Sequence, residues 1–287
     1  MYKFPKQLEI PLGDWVDSGM TWVMDNWGEF FDILGGFLLQ LLIWLEQFFI
    51  MIPWPVTIVG VGLAGWWLLG SWKRGLMMSS MLFVIGCFGY WKLTMMTLAL
   101  VTGAVVISLA VGIPVGIWMA QSDRAEALIK PILDAMQTMP SFVYLIPVMM
   151  LFGLGKVPAI FATIIYSMPP IIRLTNVGIR EVPQEVVEAA RAFGATPMQT
   201  LMQVQLPLAR PTIVVGVNQT TMMALAMVVV ASMIGAKGLG MEVLIAINRI
   251  DIGKGFEAGL SIVFLAIIID RLTHAMAIRN THDAKQT

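Results

Sequence analysis

Two long stretches without a charged residue restrict the fold of this chain more than any other feature. Thirty residues separate Lys92 from Asp123, and 26 separate Arg210 from Lys237, with no Asp, Glu, Lys or Arg between them. A helix that crosses a bilayer needs about 20 apolar residues. Hydrophobic residues make up 58% of the chain and charged residues 13%, about half of the ~25% usual in soluble domains. The chain is therefore predicted to be an all-α membrane protein that crosses the membrane several times.

Seven segments are apolar enough to be transmembrane helices, namely residues 55–72, 75–91, 93–120, 131–155, 157–175, 211–235 and 255–275. Residues 14–34 alternate apolar and polar side chains at helical spacing and contain tryptophans, which predicts an amphipathic helix at the interface after an irregular tail, 1–12. Residues 37–52 fit a short span or an interfacial helix. The interface is favoured because Glu46 would be costly at mid-bilayer. The predicted regions are an N-terminal part, 1–54, a transmembrane domain, 55–278, and a cytoplasmic tail, 279–287.

A polar segment, residues 181–210, lies between two of these spans. Pro183 suits the first turn of a helix, and apolar residues then recur at helical spacing at Val186, Val187, Ala190 and Phe193. Gly194 is placed to end this helix in a left-handed conformation. A second short helix, 198–204, is predicted to end before Leu206-Pro207. The polar segment therefore predicts a helix–glycine turn–helix element at the membrane surface that packs against another surface.

The distribution of basic residues predicts the orientation. If the polar segment is cytoplasmic, more than half of the 18 lysines and arginines lie inside, as the positive-inside rule requires. The C-terminus is then cytoplasmic and the N-terminus outside, although a further span at 37–52 would move the N-terminus inside. The 18 acidic residues balance the basic ones, so the composition gives no indication of nucleic-acid binding.

Motifs for chemistry are weak in this sequence. Residues 60–65 match a dinucleotide pattern but lie within an apolar span, where glycines are typical of close helix packing. Residues 153–156 resemble part of a phosphate loop, but Val157 stands where serine or threonine is required. His274 and His282 have no metal-ligand spacing. We therefore expect no catalytic residue, no metal site and no bound cofactor on this chain.

Three groups of polar residues interrupt predicted spans. They are residues 137–141, 167–170 and 218–221, two of them containing proline. In lipid, such groups need partners within the protein or in a water-lined cavity. Hydrogen bonding between helices and a translocation path are both consistent with the pattern. The candidate path residues are Gln137, Thr138, Phe142, Tyr144, Asn218, Gln219 and Thr220.

The polar segment resembles the EAA signature of ABC importer permeases. Glu188, Ala189 and Ala190 are followed after three residues by Gly194, and after nine more by Val204, Gln205, Leu206 and Pro207. Only Val204 departs from the family pattern, which has isoleucine there. The resemblance implies a type I importer permease fold in which the polar segment docks on a cytoplasmic ATPase. It assigns the contact and turn roles to Glu188, Ala189, Ala190, Gly194, Leu206 and Pro207.

A second resemblance covers almost the whole chain. Several stretches are similar to the glycine betaine/proline betaine permeases of this class, namely residues 10–15, 113–118, 133–144, 169–174, 204–208, 216–219, 227–229 and 270–273. That family implies a bacterial inner-membrane permease homodimer with two ATPase subunits, which hold ATP and Mg²⁺, and an extracytoplasmic substrate-binding protein. Only a short tail follows Arg279, so we expect the binding protein to be separate. Permeases for choline, carnitine or another small solute, and an ATP-independent channel or secondary transporter, are the alternatives.

Overall fold

A computed structural model describes residues 11–283, with side chains described as far as Ala275. Every regular element within that range is helical. The helices are α1 Leu12–Met51, α2 Trp54–Leu69, α3 Trp72–Cys87, α4 Trp91–Gln121, α5 Asp123–Thr138, α6 Leu145–Phe152, α7 Lys156–Ser167, α8 Pro169–Arg180, α9 Gln184–Ala192, α10 Pro197–Gln199, α11 Leu206–Ser232, α12 Leu239–Arg249 and α13 Ile252–Asp283. A 3₁₀ turn, Ser141–Tyr144, precedes α6, and a π-helical turn, Thr200–Gln205, precedes α11. The predicted tail at residues 1–10 and the last residues, 284–287, lie outside the described range.

Helices α4, α8 and α11 form the centre of the molecule, and small residues allow their close approach. A Cβ on Gly116 of α4 would lie 2.7 Å from the carbonyl oxygen of Ile172 on α8. A Cβ on Gly178 of α8 would lie 3.0 Å from Thr212 on α11. Larger side chains at these positions would separate the backbones, so the glycines determine how tightly the three helices pack.

The α2–α3 hairpin confirms the packing interpretation for Gly62 and Gly65, whereas a Cβ on Gly60 would meet no atom within 4 Å. A Cβ on Gly75 of α3 would lie 2.4 Å from the carbonyl oxygen of Gly62, and a Cβ on Gly65 would lie 3.1 Å from the Cα of Gly75. Each of these two helices has 16 residues, a length of about 24 Å, whereas the hydrocarbon core is roughly 30 Å thick. The hairpin is therefore shorter than the two full spans that the sequence predicts.

The count of seven spans is not confirmed. Within the described residues, five helices are long and apolar enough to cross a membrane, and six if one bent pair counts as a single span. The bent pair is α5 with the segment Ser141–Phe152, at an angle of 110°. The bend replaces the predicted span 131–155, because Met139 precedes Pro140 and has the extended backbone that a residue before proline prefers.

Residues 12–51 form one continuous helix rather than an interfacial helix followed by a separate segment. Leu38 and Leu42 are buried, and the second half of α1 packs on α4, α6 and α7. Glu46, the reason for placing 37–52 at the interface, accepts a hydrogen bond from Lys156 at 2.5 Å. A paired carboxylate costs much less to bury than a lone one. This contact removes the argument against 37–52 entering the membrane, and α1 is one of the helices long enough to cross it.

Candidate functional site

The glycine turn of the polar segment is present as predicted. Helix α9 follows Pro183 and ends at Ala192, and Gly194 has φ +83°. The amide of Gly194 donates to the carbonyl of Arg191 at 2.9 Å, and that of Ala195 donates to the carbonyl of Ala190 at 3.1 Å. These bonds close the end of the helix in the left-handed conformation that glycine adopts without a steric penalty. The turn therefore fixes the angle between α9 and the chain that follows.

The second helix begins as expected but does not end where the sequence predicts. Thr196 and Gln199 cap α10 reciprocally: the amide of Thr196 donates to the side chain of Gln199 at 2.8 Å, and the amide of Gln199 donates to the hydroxyl of Thr196 at 3.3 Å. The helix then continues through the π-helical turn into α11. The prediction that it ends before Leu206-Pro207 is wrong, because the helix accommodates Pro207 directly after a π-helical turn, in which the amide of Leu206 donates to the carbonyl of Leu201 five residues back.

One face of the polar segment packs on the bundle. Val187 and Leu201 are buried, and Leu201 belongs to a small apolar cluster with Ile179 of α8 and Ala209 of α11. Leu206 packs against the same cluster, and Pro207 beside it is exposed. The segment is thus attached to the two central helices α8 and α11.

The opposite face is open and combines charge with apolar groups. Glu188 and Ala189 are exposed and Ala190 is half-buried. Phe193, placed by its spacing on the inner face, is 94% exposed, and Met198 also projects outwards. Phe193 follows the last residue of α9, so helical periodicity no longer predicts its direction. Exposed aromatic side chains are enriched at protein-binding surfaces.

Arg180 anchors the start of the polar segment. Its guanidinium donates to Asp123 at 2.8 Å and to the carbonyl of Met119 at 2.9 Å, and it pairs with Glu126 at 3.2 Å. Asn176 donates to Glu126 at 3.1 Å and accepts from Arg180 at 3.1 Å. These bonds connect α8 to the ends of α4 and α5. For Asn176 the structure therefore supports hydrogen bonding between helices.

A cavity of about 670 Å³ lies behind the polar segment. Arg191 and Thr196 line one side, and Gln121 of α4 and Ile179 of α8 line the other. The hydroxyl of Thr200, also on the wall, is buried without a hydrogen-bond partner among the described residues. The polar segment is therefore attached to the bundle at its base and separated from it by open space along part of its length.

The candidate path residues fall into two groups. Asn218 and Thr220 lie on α11, with the side-chain oxygen of each buried and without a partner among the described residues, and Gln219 is exposed. Thr175 of α8 also has a buried hydroxyl without a described partner. Buried polar atoms are nearly always satisfied in native proteins, so we expect each of these oxygens on α8 and α11 to meet water, solute or another chain.

The second group lies at the bend after α5. Gln137, Thr138 and Phe142 are exposed there, and the 3₁₀ turn that contains Phe142 contacts α11. Tyr144 differs from the others, because it is buried and its hydroxyl donates to the carbonyl of Met136. Its position supports the bend rather than presenting a ring to a solute.

Residues 112–280 match the family described as "Binding-protein-dependent transport system inner membrane component". The chain belongs to this family. The family and the apolar helices identify the chain as a multi-pass inner-membrane permease of an ABC transporter, and they imply an ATPase and a substrate-binding protein as partners.

Similar proteins cover most of the chain. The glycine betaine/proline betaine permease ProW of Escherichia coli is 48% identical over 93% of this chain and 75% of its own length. The glycine betaine/carnitine permease GbuB of Listeria monocytogenes is 46% identical over 93% and 95%. The glycine betaine permease OpuAB of Bacillus subtilis is 42% identical over 94% and 95%.

The solved structures confirm the predicted fold. A chain from inward-facing conformations of the MetNI methionine ABC transporter is 23% identical, with a TM-score of 0.55, over 65% of this chain and 92% of that one. At this identity the likeness concerns the fold alone. The fold is the all-α type I ABC importer permease fold that the sequence predicts.

Proposed function

We propose that this chain is the membrane-spanning subunit of an ATP-driven importer for glycine betaine, proline betaine and similar solutes. The supporting observation is the identity of 42–48%, over more than nine-tenths of the chain, to three permeases whose names include glycine betaine. Carnitine is a second candidate, because it appears in the name of GbuB. Choline is supported less, since the choline permease OpuBB is 35% identical over 58% of this chain.

In this proposal the polar segment transmits the motion of the ATPase. Glu188, Ala189 and Phe193 form its contact face, and Gly194 sets the angle between the two helices. Leu206 and Pro207 lie where the polar segment enters α11. The rigid base at Arg180 and the direct continuation into α11 favour this role, because a displacement of the contact face reaches both central helices.

The assembly that we propose contains two copies of this chain, two ATPase subunits and one extracytoplasmic binding protein. ATP and Mg²⁺ bind the ATPase, and this chain hydrolyses no nucleotide. The loop 153–156 is consistent with that division: Gly155 donates its amide to the carbonyl of Ile234 at 2.8 Å, and Lys156 pairs with Glu46. In the proposed orientation the polar segment and the C-terminus face the cytoplasm.

The proposed path uses the polar groups of α8 and α11 that have no partner among the described residues. Asn218, Gln219 and Thr220 supply amide and hydroxyl groups for the carboxylate of a betaine, and the exposed Phe142 supplies an aromatic face for its quaternary ammonium. Gln137 and Thr138 lie at the nearby bend. Tyr144 supports this arrangement from behind.

Uptake by the reconstituted complex tests the proposal. Proteoliposomes with this chain, its ATPase and its binding protein are expected to accumulate labelled glycine betaine only when ATP is present on the ATPase side. Unlabelled proline betaine should compete, whereas methionine, a zwitterion without a quaternary ammonium, is the control that should not. Accumulation that continues without ATP would contradict the importer. ATP-dependent uptake of carnitine or choline alone would keep the importer but assign it to that solute instead.

A further inference from the structure

Two arginines from different helices meet at a cavity distant from the central helices. Arg74 of α3 and Arg271 of α13 line a space of about 260 Å³, and its other described lining residues are Leu69, Met77 and Met78. Met78 is fully buried and forms its floor, while Met77 is exposed. The cavity therefore combines two permanent positive charges with an apolar wall.

The positive charge at this cavity is only partly balanced by the described part of the chain. None of the described lining residues is acidic. Arg74 makes no ion pair among the described residues, and Arg271 faces only its chain neighbour Asp270, at 3.9 Å. Lys73, next to Arg74, is exposed. Helix α3 also begins here without a side-chain cap, and the start of a helix favours anions.

The position of the cavity along the membrane normal corresponds to a membrane surface. Helix α13 begins at Ile252 and reaches Arg271 about 19 residues later, or roughly 29 Å, which is close to the thickness of the hydrocarbon core. Three tryptophans, Trp66, Trp67 and Trp72, are exposed on the same hairpin. Tryptophan is enriched at membrane–water interfaces. Since α13 runs back towards the end of the bundle where α11 begins, this is the same end that carries the polar segment.

We propose that this cavity binds the phosphate headgroup of an anionic phospholipid in the leaflet facing the ATPase. The guanidinium groups of Arg74 and Arg271 hold the phosphate oxygens, for which arginine has a suitable geometry. The acyl chains lie along Leu69, Met77 and the exposed tryptophans. Basic cavities between transmembrane helices on the cytoplasmic side commonly bind such lipids. The site is separate from the polar segment and from the proposed solute path.

Native mass spectrometry of the full chain, purified with the subunits that accompany it, tests the site with dioleoyl phosphatidylglycerol as the probe. We expect the wild-type complex to retain this lipid in preference to dioleoyl phosphatidylcholine. The double variant Arg74→Gln/Arg271→Gln should bind it about 30-fold more weakly, because each cation near a membrane surface contributes about a fivefold factor. Lys92→Gln/Lys237→Gln is the matched control, since it removes two charges at a cavity that Glu242 also lines, and its binding should be unchanged.

Two further measurements distinguish lipid binding at this cavity from misfolding of the variant and from binding of a soluble anion. Arg74→Lys/Arg271→Lys keeps both charges and should bind the lipid more tightly than the glutamine variant does, and an unchanged thermal unfolding midpoint of the glutamine variant shows that its loss of binding is not misfolding. Glycerol phosphate in solution should not displace the lipid at equal concentration; displacement would assign the cavity to a small soluble anion and overturn the lipid proposal. Equal retention of both lipids, or equal loss in the Lys92 and Lys237 control, would also overturn it.

Discussion

The conformation of Gly194 gives the sharpest prediction. Its φ of +83° is in the left-handed region, where an L-residue costs about 1–2 kcal/mol and a β-branched residue costs most. A Cβ at this position would meet no atom within 4 Å, so a substitution changes the backbone preference without a steric clash. For Gly194→Val a penalty of about 2 kcal/mol makes the native turn about 30-fold less favourable.

The expected effect is a loss of coupling with assembly preserved. The reconstituted complex with Gly194→Val should still hydrolyse ATP, but solute taken up per ATP hydrolysed should fall about tenfold or more, because α9 no longer meets the following helix at a fixed angle. Uptake and phosphate release are measured on the same proteoliposomes.

Two matched variants isolate the cause. Gly194→Asn should keep most of the uptake, since asparagine tolerates the left-handed conformation better than other non-glycine residues. Gly259→Val makes the same chemical change within α13, at a glycine that also has open space around it, and should leave the coupling ratio unchanged. Normal uptake per ATP in Gly194→Val would refute the turn as the element that sets the angle.

Three further predictions concern the contact face and α1. Glu188→Lys reverses an exposed charge and should weaken co-purification of the ATPase without lowering the amount of permease in the membrane; unaltered co-purification and ATPase activity would count against the contact. Phe193→Ala should reduce ATPase affinity about 30-fold, the effect of losing a central aromatic side chain, and binding titrations in detergent measure it. Lys156→Glu leaves Glu46 facing a second carboxylate and should destabilise the protein by about 2 kcal/mol, seen in thermal unfolding. The reciprocal exchange Glu46→Lys with Lys156→Glu should restore most of that stability, and no recovery would show that the pair does not hold α1.

Local chemistry made some features of this protein predictable. Pro183 and Gly194 act on the backbone within one or two residues, so the turn of the polar segment follows from their identity alone. Thr196 and Gln199 have the spacing of a capping box, a local signal for the start of a helix that the sequence analysis did not use. The close packing of α2 on α3 follows from the glycines of 60–65, because the absence of a side chain allows another helix to approach.

Features that depend on distant partners were not predictable in the same way. The ion pair of Glu46 involves Lys156, 110 residues away, so the sequence shows the cost of the carboxylate but not what offsets it. The π-helical turn before Pro207 has no compositional marker. The exposure of Phe193 depends on where α9 ends, and the last turn of a helix is the part that periodicity predicts least well.

The candidate path residues show another reason why a feature cannot be predicted from the sequence of one chain. Asn218 and Thr220 have buried oxygens without partners in the described chain, while Gln137 and Phe142 lie exposed at the bend. In the proposed assembly of two copies, a solute path between them forms only when both copies are present. Sequence periodicity and the structure of one chain therefore identify the groups for which we expect partners, but not the partners themselves.

Site-specific photo-crosslinking tests the central claim, that the polar segment is the contact with the ATPase. The photoreactive residue p-benzoylphenylalanine is placed at position 193 or at position 250, where Phe193 is 94% exposed and Ile250 is 85% exposed. Ile250 follows α12, at the opposite end of α11, and so provides an equally accessible control. The account predicts a crosslinked product with the ATPase from position 193, with a yield that changes when ATP is bound, and none from position 250. Absence of the product from position 193, or equal yields from both positions, would contradict it.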